Sequence, residues 1–481
     1  MSRRQRLTLV AAILGSAVVT VDGSIVNVAL PAIEHDLGGG LSAQQWVSNA
    51  YLLTLASLIL VGGSLADIYG ERRVFVIGLA AFGVLSVACA LAPTIEVLIG
   101  ARALQGAAGA LVTPSSLAVI VAAFGPAERG AAIGSWTAWG GISAIVGPLA
   151  GGVIVDRVSW RWVFAINVPL VLATLPLIRA AVPRATGLEH RQVDFVGAGL
   201  CALGLGGVTF ALIEQPHYGW GSPIILVPLV GGFVAFASFL GYERHTPEPM
   251  LKLDLFARRN FAVGNLETLG VYAGLGILFF FLVIFLQQVA GYSALKSGLT
   301  TLPVTIVIFA LSRRFGALAD RLGPRLFMGA GPLIAAAGML LLLRVGMHPS
   351  YVADLLPALL VFALGLSMTV APLTATVLAD ADESDAGIAS AVNNAVARVA
   401  GLLGVSVVGV VVASTLVGDT FAPNAESVTA FHQVVVIGAA LVAAGGVAGS
   451  AGIVNPRRTV EAERCPGGQL VGVPQPAVDQ M

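Results

Sequence analysis

A chain of 481 residues that is 57% hydrophobic and only 11% charged lacks the residues to cover a soluble surface of that size. Its 26 basic and 26 acidic residues cancel, so it has no basic footprint for nucleic acid, and its natural solvent is a bilayer. Three cysteines, Cys89, Cys201 and Cys465, lack metal-ligand spacing, which argues against both a zinc site and a disulfide framework. No Gly-rich loop ending in Gly-Lys-Ser/Thr and no His-Glu-x-x-His occurs, so nucleotide-driven pumping and zinc-protease chemistry are excluded. The expectation is a protein that needs no cofactor.

Apolar runs of about 20 residues are expected to span a bilayer as helices, since backbone polar groups must be satisfied within the segment. In chain order they fall at 8–32, 44–66, 74–93, 97–122, 132–155 and 162–181, then at 195–213 and 223–241. Six more follow at 262–288, 297–318, 326–344, 352–377, 386–415 and 430–453, for fourteen in all. The first is too long for a secretory leader and has no small-residue cleavage site before Pro31, so it reads as an uncleaved helix. With the N-terminus inside, twenty of the 26 basic residues fall on the cytoplasmic side, against Arg157, Arg161, Lys296 and Arg344 outside. That bias predicts a multi-pass plasma-membrane protein with both termini cytoplasmic. The Pro- and Gly-rich stretch after Asn455 reads as a disordered tail, 456–481.

Two cytoplasmic loops repeat. "GSLADIYGERR" (Gly63 to Arg73) follows the second run and "GALADRLGPR" (Gly316 to Arg325) follows the tenth, an offset of 253 residues. Each has Asp67 or Asp320 near a helix end and arginines at the membrane face: Arg72 and Arg73 in one, Arg321 and Arg325 in the other. Charge pairing between these acids and Arg72, Arg73 or Arg325 is expected.

Charges inside a span cost roughly 2.5–3.5 kcal/mol each and so require a reason. Asp22, Arg102, Glu267 and Arg398 are the four. Asp22 in run 1 and Arg102 in run 4 can share a depth, either as a structural ion pair or as a proton carrier whose hydration and partner distance change as the protein moves. Asp22→Asn is then expected to abolish coupling and leave folding intact. Glu267 either reaches the interface to meet Arg258 or Arg259, or serves as a second proton site or a counter-charge for cationic substrates. Arg102, Gln105, Gly106 and Gly109 line one helical face. Arg398, beside Asn393 and Asn394, reads as a loose counterpart of Arg102. Gly147 and Gly151 flank Pro148 in a close-packing motif. Trp46, Asn49, Tyr51, Trp136 and Trp139 are candidate cavity walls, with Trp46, Trp160 and Trp162 as alternative interface anchors.

Together these stretches resemble the fourteen-helix drug:proton antiporter branch of the major facilitator superfamily. "DGSIVNVALP" (Asp22 to Pro31), "GARALQGAAGA" (Gly100 to Ala110), "GPLAGG" (Gly147 to Gly152), "WRWVFAINVP" (Trp160 to Pro169) and "LQQVAGYSALKSGLTTLP" (Leu286 to Pro303) are similar to the motifs of that branch. Ile68 and Glu71 depart from it where a basic residue is usual, as does Ser143 where Gly is usual.

The resemblance implies an all-α fold of two six-helix bundles, residues 1–185 and 261–455, with two further helices in 186–260 inserted between them. It implies proton-driven export of lipophilic drugs, cationic ones included, by alternating access. The alternative is one dedicated physiological substrate, such as a lipid, a self-made antibiotic or an amino acid. Proton coupling would fall to Asp22, Arg102 and Glu267. Gating would fall to Asp67, Arg72, Arg73, Asp320, Arg321, Arg325, Gly147, Pro148 and Gly151. The substrate cavity would include Asn27, Gln105, Trp136, Trp139, Asn393, Asn394 and Arg398. The expected partners are a small-molecule substrate, protons and lipid, with the chain acting as a monomer.

Overall fold

A computed structural model describes residues 1–183, 193–247, 249–382, 386–418 and 420–455, with the backbone alone described at Pro126, Ala127, Ala144 and Ala386. The tail expected to be disordered, 456–481, lies outside the described residues. Among those described there are fourteen helices long and apolar enough to cross a membrane, and no strand. They are α1 (Arg3–Leu37), α2 (Gly40–Tyr69), α3 (Glu71–Ala90), α4 (Ile95–Ala123), α5 (Pro126–Arg157), α6 (Arg161–Ala181) and α7 (Phe195–Tyr218). After these come α8 (Pro223–Glu243), α9 (Arg259–Gln288), α10 (Ala294–Leu322), α11 (Pro324–Leu341), α12 (Leu356–Ala379), α13 (Ala386–Ala413) and α14 (Ala425–Gly452).

Each apolar run falls on one helix, and several helices overrun their run. The overrun has a local cause at α1, where a capping box at Ser2 and Gln5 starts the helix before the apolar stretch. Pro126 opens α5 in the same way, at a position where a missing N–H costs nothing. Sequence hydropathy marks the part of a helix in lipid, while caps decide where the helix begins.

The packing repeats. In the first half α2 and α3 lie against α4, and α1 against α5 and α6; in the second α10 and α11 lie against α12, and α9 against α13 and α14. Small residues permit the approach: Gly62 sits on the Ala110 carbonyl and Gly106 on the Tyr51 carbonyl, while Thr54 donates to the Ala103 carbonyl at 2.6 Å. The repeated loops fit the same frame. Arg4 Nε and Arg72 Nη2 donate to the Ala181 and Arg179 carbonyls at the end of α6, at 2.9 and 2.8 Å. Arg259 Nε and Arg325 Nε donate to the Gly452 and Ser450 carbonyls at the end of α14, at 2.7 and 2.6 Å. In both halves, therefore, cations from the first and third helices meet the negative end of the sixth. This corrects the expected pairing of Arg72 and Arg325 with the loop acids. Each guanidinium lies beside a helix end whose last carbonyls lack intrahelical donors.

The halves touch mainly through α5 against α10 and α2 against α13. Hydrogen bonds between described residues that cross from one half to the other all lie on the face opposite the termini. Gln45 Nε2 reaches the Val405 carbonyl at 2.8 Å, Asn49 Nδ2 the Ser406 hydroxyl at 3.0 Å, and Gln287 Nε2 the Val28 carbonyl at 3.0 Å. Asp156, at the end of α5, accepts from the Ala294 and Leu295 amides at 2.9 and 3.0 Å and so caps α10 across the divide. Of the inserted helices, α7 lies against both α2 and α13, with Trp46 Nε1 donating to Glu214 at 2.7 Å. The other, α8, packs on α7 and presents Val227, Val230, Phe233 and Val234 outward.

Candidate functional site

In the first half a polar cluster forms where α1, α3, α4 and α6 converge. Asp22, Arg102, Gln105, Ser86 and Asn167 are each at most 1% exposed. Arg102 Nη1 donates to Asp22 Oδ2 at 2.6 Å and to Gln105 Oε1 at 2.7 Å, while its Nε donates to the Val47 carbonyl at 3.1 Å. Asp22 Oδ1 accepts from Asn167 at 2.8 Å and from Gln105 at 3.1 Å. Ser86 accepts from Gln105 at 2.9 Å and from Asn167 at 3.3 Å. The three groups bonded to Asp22 are all N–H donors, a pattern suited to an acceptor-only carboxylate. The Tyr51 ring lies 4.2 Å from the Arg102 guanidinium carbon and Phe164 lies 5.7 Å away, so the cation is also held against aromatic faces.

A cavity of about 630 Å³ lies between the halves, next to this cluster. Thr20, Ser24 and Asn27 of α1 line one side, Trp136 of α5 another, and Phe279 of α9 with Asn394 and Arg398 of α13 the far side. Tyr51 belongs to both regions, lining the cavity while carrying Arg102 over its ring. It forms the partition between polar cluster and cavity.

The structure sorts the expected cavity residues. Asn27, Trp136, Asn394 and Arg398 line it. Gln105 does not; it is fully buried in the Asp22 cluster. Asn393 turns to α9, where it donates to Asn265 at 3.1 Å and Thr268 at 2.8 Å. Trp139 is 51% exposed and lies off the cavity wall, although three-residue spacing puts it near Trp136 on α5; the packing of α5 turns only Trp136 inward. Asn49 is spent on Ser406, Trp46 on Glu214, and Trp160 is 4% exposed with its indole N–H on Asp36, so it is not an interface anchor. Trp162, 59% exposed, fits that role. Arg398 is not the counterpart of Arg102, since α13 is the fifth helix of its half and α4 the fourth.

Glu267 is fully buried in α9, and both carboxylate oxygens lack a hydrogen-bond partner. Its carboxyl lies against Gly449 of α14, within the second half and off the cavity wall. Arg258 pairs instead with Asp382 and the Asp380 carbonyl, and Arg259 with Gly452, so the expected contact to either arginine is absent.

Within the first half Gly147 packs on Ser24 and Gly151 on Ile25 of α1, while the Pro148 carbonyl meets Gly298 of α10 across the divide. Asp67, Arg73, Asp320 and Arg321 are exposed at the terminal face. Sequence reasoning passed over three residues of consequence. Asn167 sits at the break between two segments of α6 and was visible as the lone amide in "FAINVP". Ser86 and Asp156 had no signal that distinguished them from other small polar or loop-adjacent residues.

The architecture is that of a transporter built from two six-helix halves around a central cavity. The profile of the Major Facilitator Superfamily matches residues 12–405, and the chain belongs to that family. It is 35% identical over 427 residues to the multidrug resistance protein Stp of Mycobacterium tuberculosis, covering 89% of this chain and 79% of that one. It is 36% identical to the puromycin resistance protein pur8 of Streptomyces alboniger, covering 84% and 81%. To the tetracenomycin C resistance and export protein of Streptomyces glaucescens it is 34% identical, covering 86% and 77%. Among solved structures, a bacterial homologue of the human lysosomal transporter Spinster superposes with a TM-score of 0.68 at 13% identity, covering 94% and 97% of the chains. A D-xylose–proton symporter superposes with 0.65 at 15% identity, covering 93% and 98%. The fold expectation thus holds: the chain is an all-α, multi-pass membrane transporter, and the relatives it is similar to are drug- and antibiotic-resistance proteins.

Proposed function

We propose that the protein exports lipophilic compounds in exchange for protons by alternating access. It would act as a monomer in the plasma membrane with both termini cytoplasmic, and its halves would divide near residues 185 and 261. The observation that carries this reading is the buried Asp22–Arg102 pair, one side-chain layer behind the cavity, with Tyr51 common to both.

In the state described, the halves are bonded at the face opposite the termini, which on this orientation makes the cavity cytoplasmic-facing. Asp22 is then engaged by Arg102, Gln105 and Asn167. Rocking of α1 against α4 would part these groups and let Asp22 take a proton; the return would release it. Substrate pressing on Tyr51 supplies a mechanical link between the two events.

Gly147, Pro148 and Gly151 gate by letting α5 slide on α1 and α10. Arg72 and Arg325 hold the helix ends that move with each half, with Asp67, Arg73, Asp320 and Arg321 at the same face. Glu267 is the second proton site. Its separation from the cavity removes the support for a direct counter-charge to a cationic drug. The tetracenomycin C relative keeps a dedicated, self-made antibiotic as the second reading of the substrate.

The test is purified protein in liposomes carrying an internal pH dye, with ethidium, tetraphenylphosphonium and a tetracycline added in turn under an imposed proton gradient. Substrate-dependent proton flux that disappears in Asp22→Asn supports antiport. Transport that persists without proton movement overturns the proposed coupling.

A further inference from the structure

Among the described residues, four formal charges lie well inside the helices, and of these Arg398 alone faces the cavity. Asp22 and Arg102 neutralise each other at 2.6 Å. Glu267 is enclosed between α9 and α14. Arg398 differs. Its guanidinium makes no hydrogen bond or ion pair with any described residue, and its buried Nε has no acceptor. Among the described residues of the cavity wall it carries the one formal charge.

The neighbouring polar groups do not compensate it. Thr20, Ser24 and Thr137 direct their hydroxyl protons back onto carbonyls of their own helices. The Asn394 amide donates to the Ser390 carbonyl. On the side of the cavity shared by Arg398 and Asn394 the α9 wall is apolar, with Leu275, Phe279 and Val283. A cation held at membrane depth without a counter-ion is costly, and such groups pair with one another or with what passes through. An incoming anion relieves that cost, whereas an incoming cation adds like-charge repulsion in a medium of low dielectric.

We infer that the cavity selects amphipathic organic anions, compounds joining an aromatic or aliphatic body to one carboxylate or comparable acid, and that Arg398 is the residue that binds the acid. The planar guanidinium matches a carboxylate through two parallel N–H bonds, a geometry a lysine ammonium does not offer. A volume of about 630 Å³ suits a drug-sized body beside that head group. This inference rests on the proposal that the cavity is the substrate site of an exporter, and it specifies the class of substrate.

The experiment uses three fluorescent probes with one body: 1-pyrenebutyrate, its methyl ester and 1-pyrenebutyl-trimethylammonium. Each is titrated against the purified full chain in micelles without any gradient, with empty micelles subtracted. The anion is expected to bind at least tenfold more tightly than the cation, about 1.4 kcal/mol. Arg398→Gln should erase that ratio, while Arg398→Lys, which keeps the charge and guards against a folding artefact, should preserve an anion preference at lower affinity. Equal or tighter binding of the cation by the wild-type protein overturns the inference, as does an anion preference that survives in Arg398→Gln or no anion binding at all. Displacement of pyrenebutyrate by phosphatidylglycerol but not phosphatidylcholine would identify the natural anion as a lipid; displacement by neither would point to a soluble acid. Proton flux in liposomes is scored separately. Proton-coupled export of a cationic dye with no anion binding defeats this inference and leaves antiport standing. Anion binding through Arg398 without any coupled flux does the reverse.

Discussion

Replacing Asp22 by Asn keeps the shape of the side chain and removes its charge, and the structure fixes what that does. Asp22 accepts three bonds, from Arg102 at 2.6 Å, Asn167 at 2.8 Å and Gln105 at 3.1 Å. An amide offers one oxygen where the carboxylate offered two. In either orientation, one of its N–H groups faces Arg102 or the paired amides of Gln105 and Asn167, donor against donor. Arg102 also loses its buried counter-charge, and breaking such a pair from one side costs about 3–5 kcal/mol. The Val47 carbonyl and Gln105 Oε1 still accept from Arg102, which places the expected loss near the lower end, about 3 kcal/mol. The expectation from sequence, that this variant folds unperturbed, is therefore revised. Thermal unfolding of the full chain in micelles should show the loss, and the liposome pH dye should show no substrate-dependent proton flux. Adding Arg102→Met removes the orphaned cation, so the double variant should recover most of the lost stability while coupling stays absent. Wild-type stability together with intact proton flux in Asp22→Asn would refute the account of this cluster.

Asp156→Ala deprives α10 of its cap across the divide and should weaken closure of the far face by about 1 kcal/mol, read as faster labelling of a cysteine introduced at Val155; unchanged labelling would count against Asp156 as a closing contact. Arg72→Ala and Arg325→Ala should each lower stability by about 0.3–1 kcal/mol and slow turnover with little change in substrate affinity, since each frees a helix end remote from the cavity; a large affinity change in either would disprove a role confined to the frame. Glu267→Met replaces an unpartnered buried carboxyl with an apolar side chain of similar length and should raise thermal stability by about 1–3 kcal/mol while lowering the proton-to-substrate ratio; a lowered melting temperature would show that the carboxyl has a partner. Asp382, in the turn after α12, is held below the usual carboxylate range by its hydrogen bond from Arg258 and that residue's charge. A depressed carboxylate supports the fold above its unfolded pKa and stops doing so only as pH falls through the lower folded value, so Asp382→Asn should leave the shape of the transport–pH profile between about pH 5 and 9 unchanged.

Much of the frame was legible because lipid imposes one rule on every span, and apolar length alone reports it. The loop repeat was legible for a related reason: Gly and Asp at fixed offsets mark where a helix must turn. The partners of the loop arginines were not legible, since a carbonyl at the end of α6 or α14 looks like any other peptide in sequence. The Asp22–Arg102 pair could be anticipated, as two opposite charges at compatible depth have few other places to go. Gln105 and Asn393 could not be placed, because an amide suits a cavity and a buried cluster equally well, and one helical step decides between them. Trp136 and Trp139 differ by three positions on α5, yet only the packing of α5 against α1 and α10 turns the first toward the cavity.

The two halves share a frame and differ in chemistry. Arg4 and Arg72 in one and Arg259 and Arg325 in the other do the same work at equivalent helix ends. Nothing among the described residues of the second half reproduces the cluster around Asp22, and no described residue on the cavity wall of the first half matches Arg398. On the function proposed above, this asymmetry is what antiport requires. A carboxylate that trades protons is kept from the substrate by the Tyr51 partition, so a drug does not compete directly for its charge. A cation that meets the substrate is kept in the opposite half, so that engaging both at once depends on how the halves are set against each other. Coupling then resides in the relative position of α1 and α13 across the cavity, which alternating access changes with every cycle.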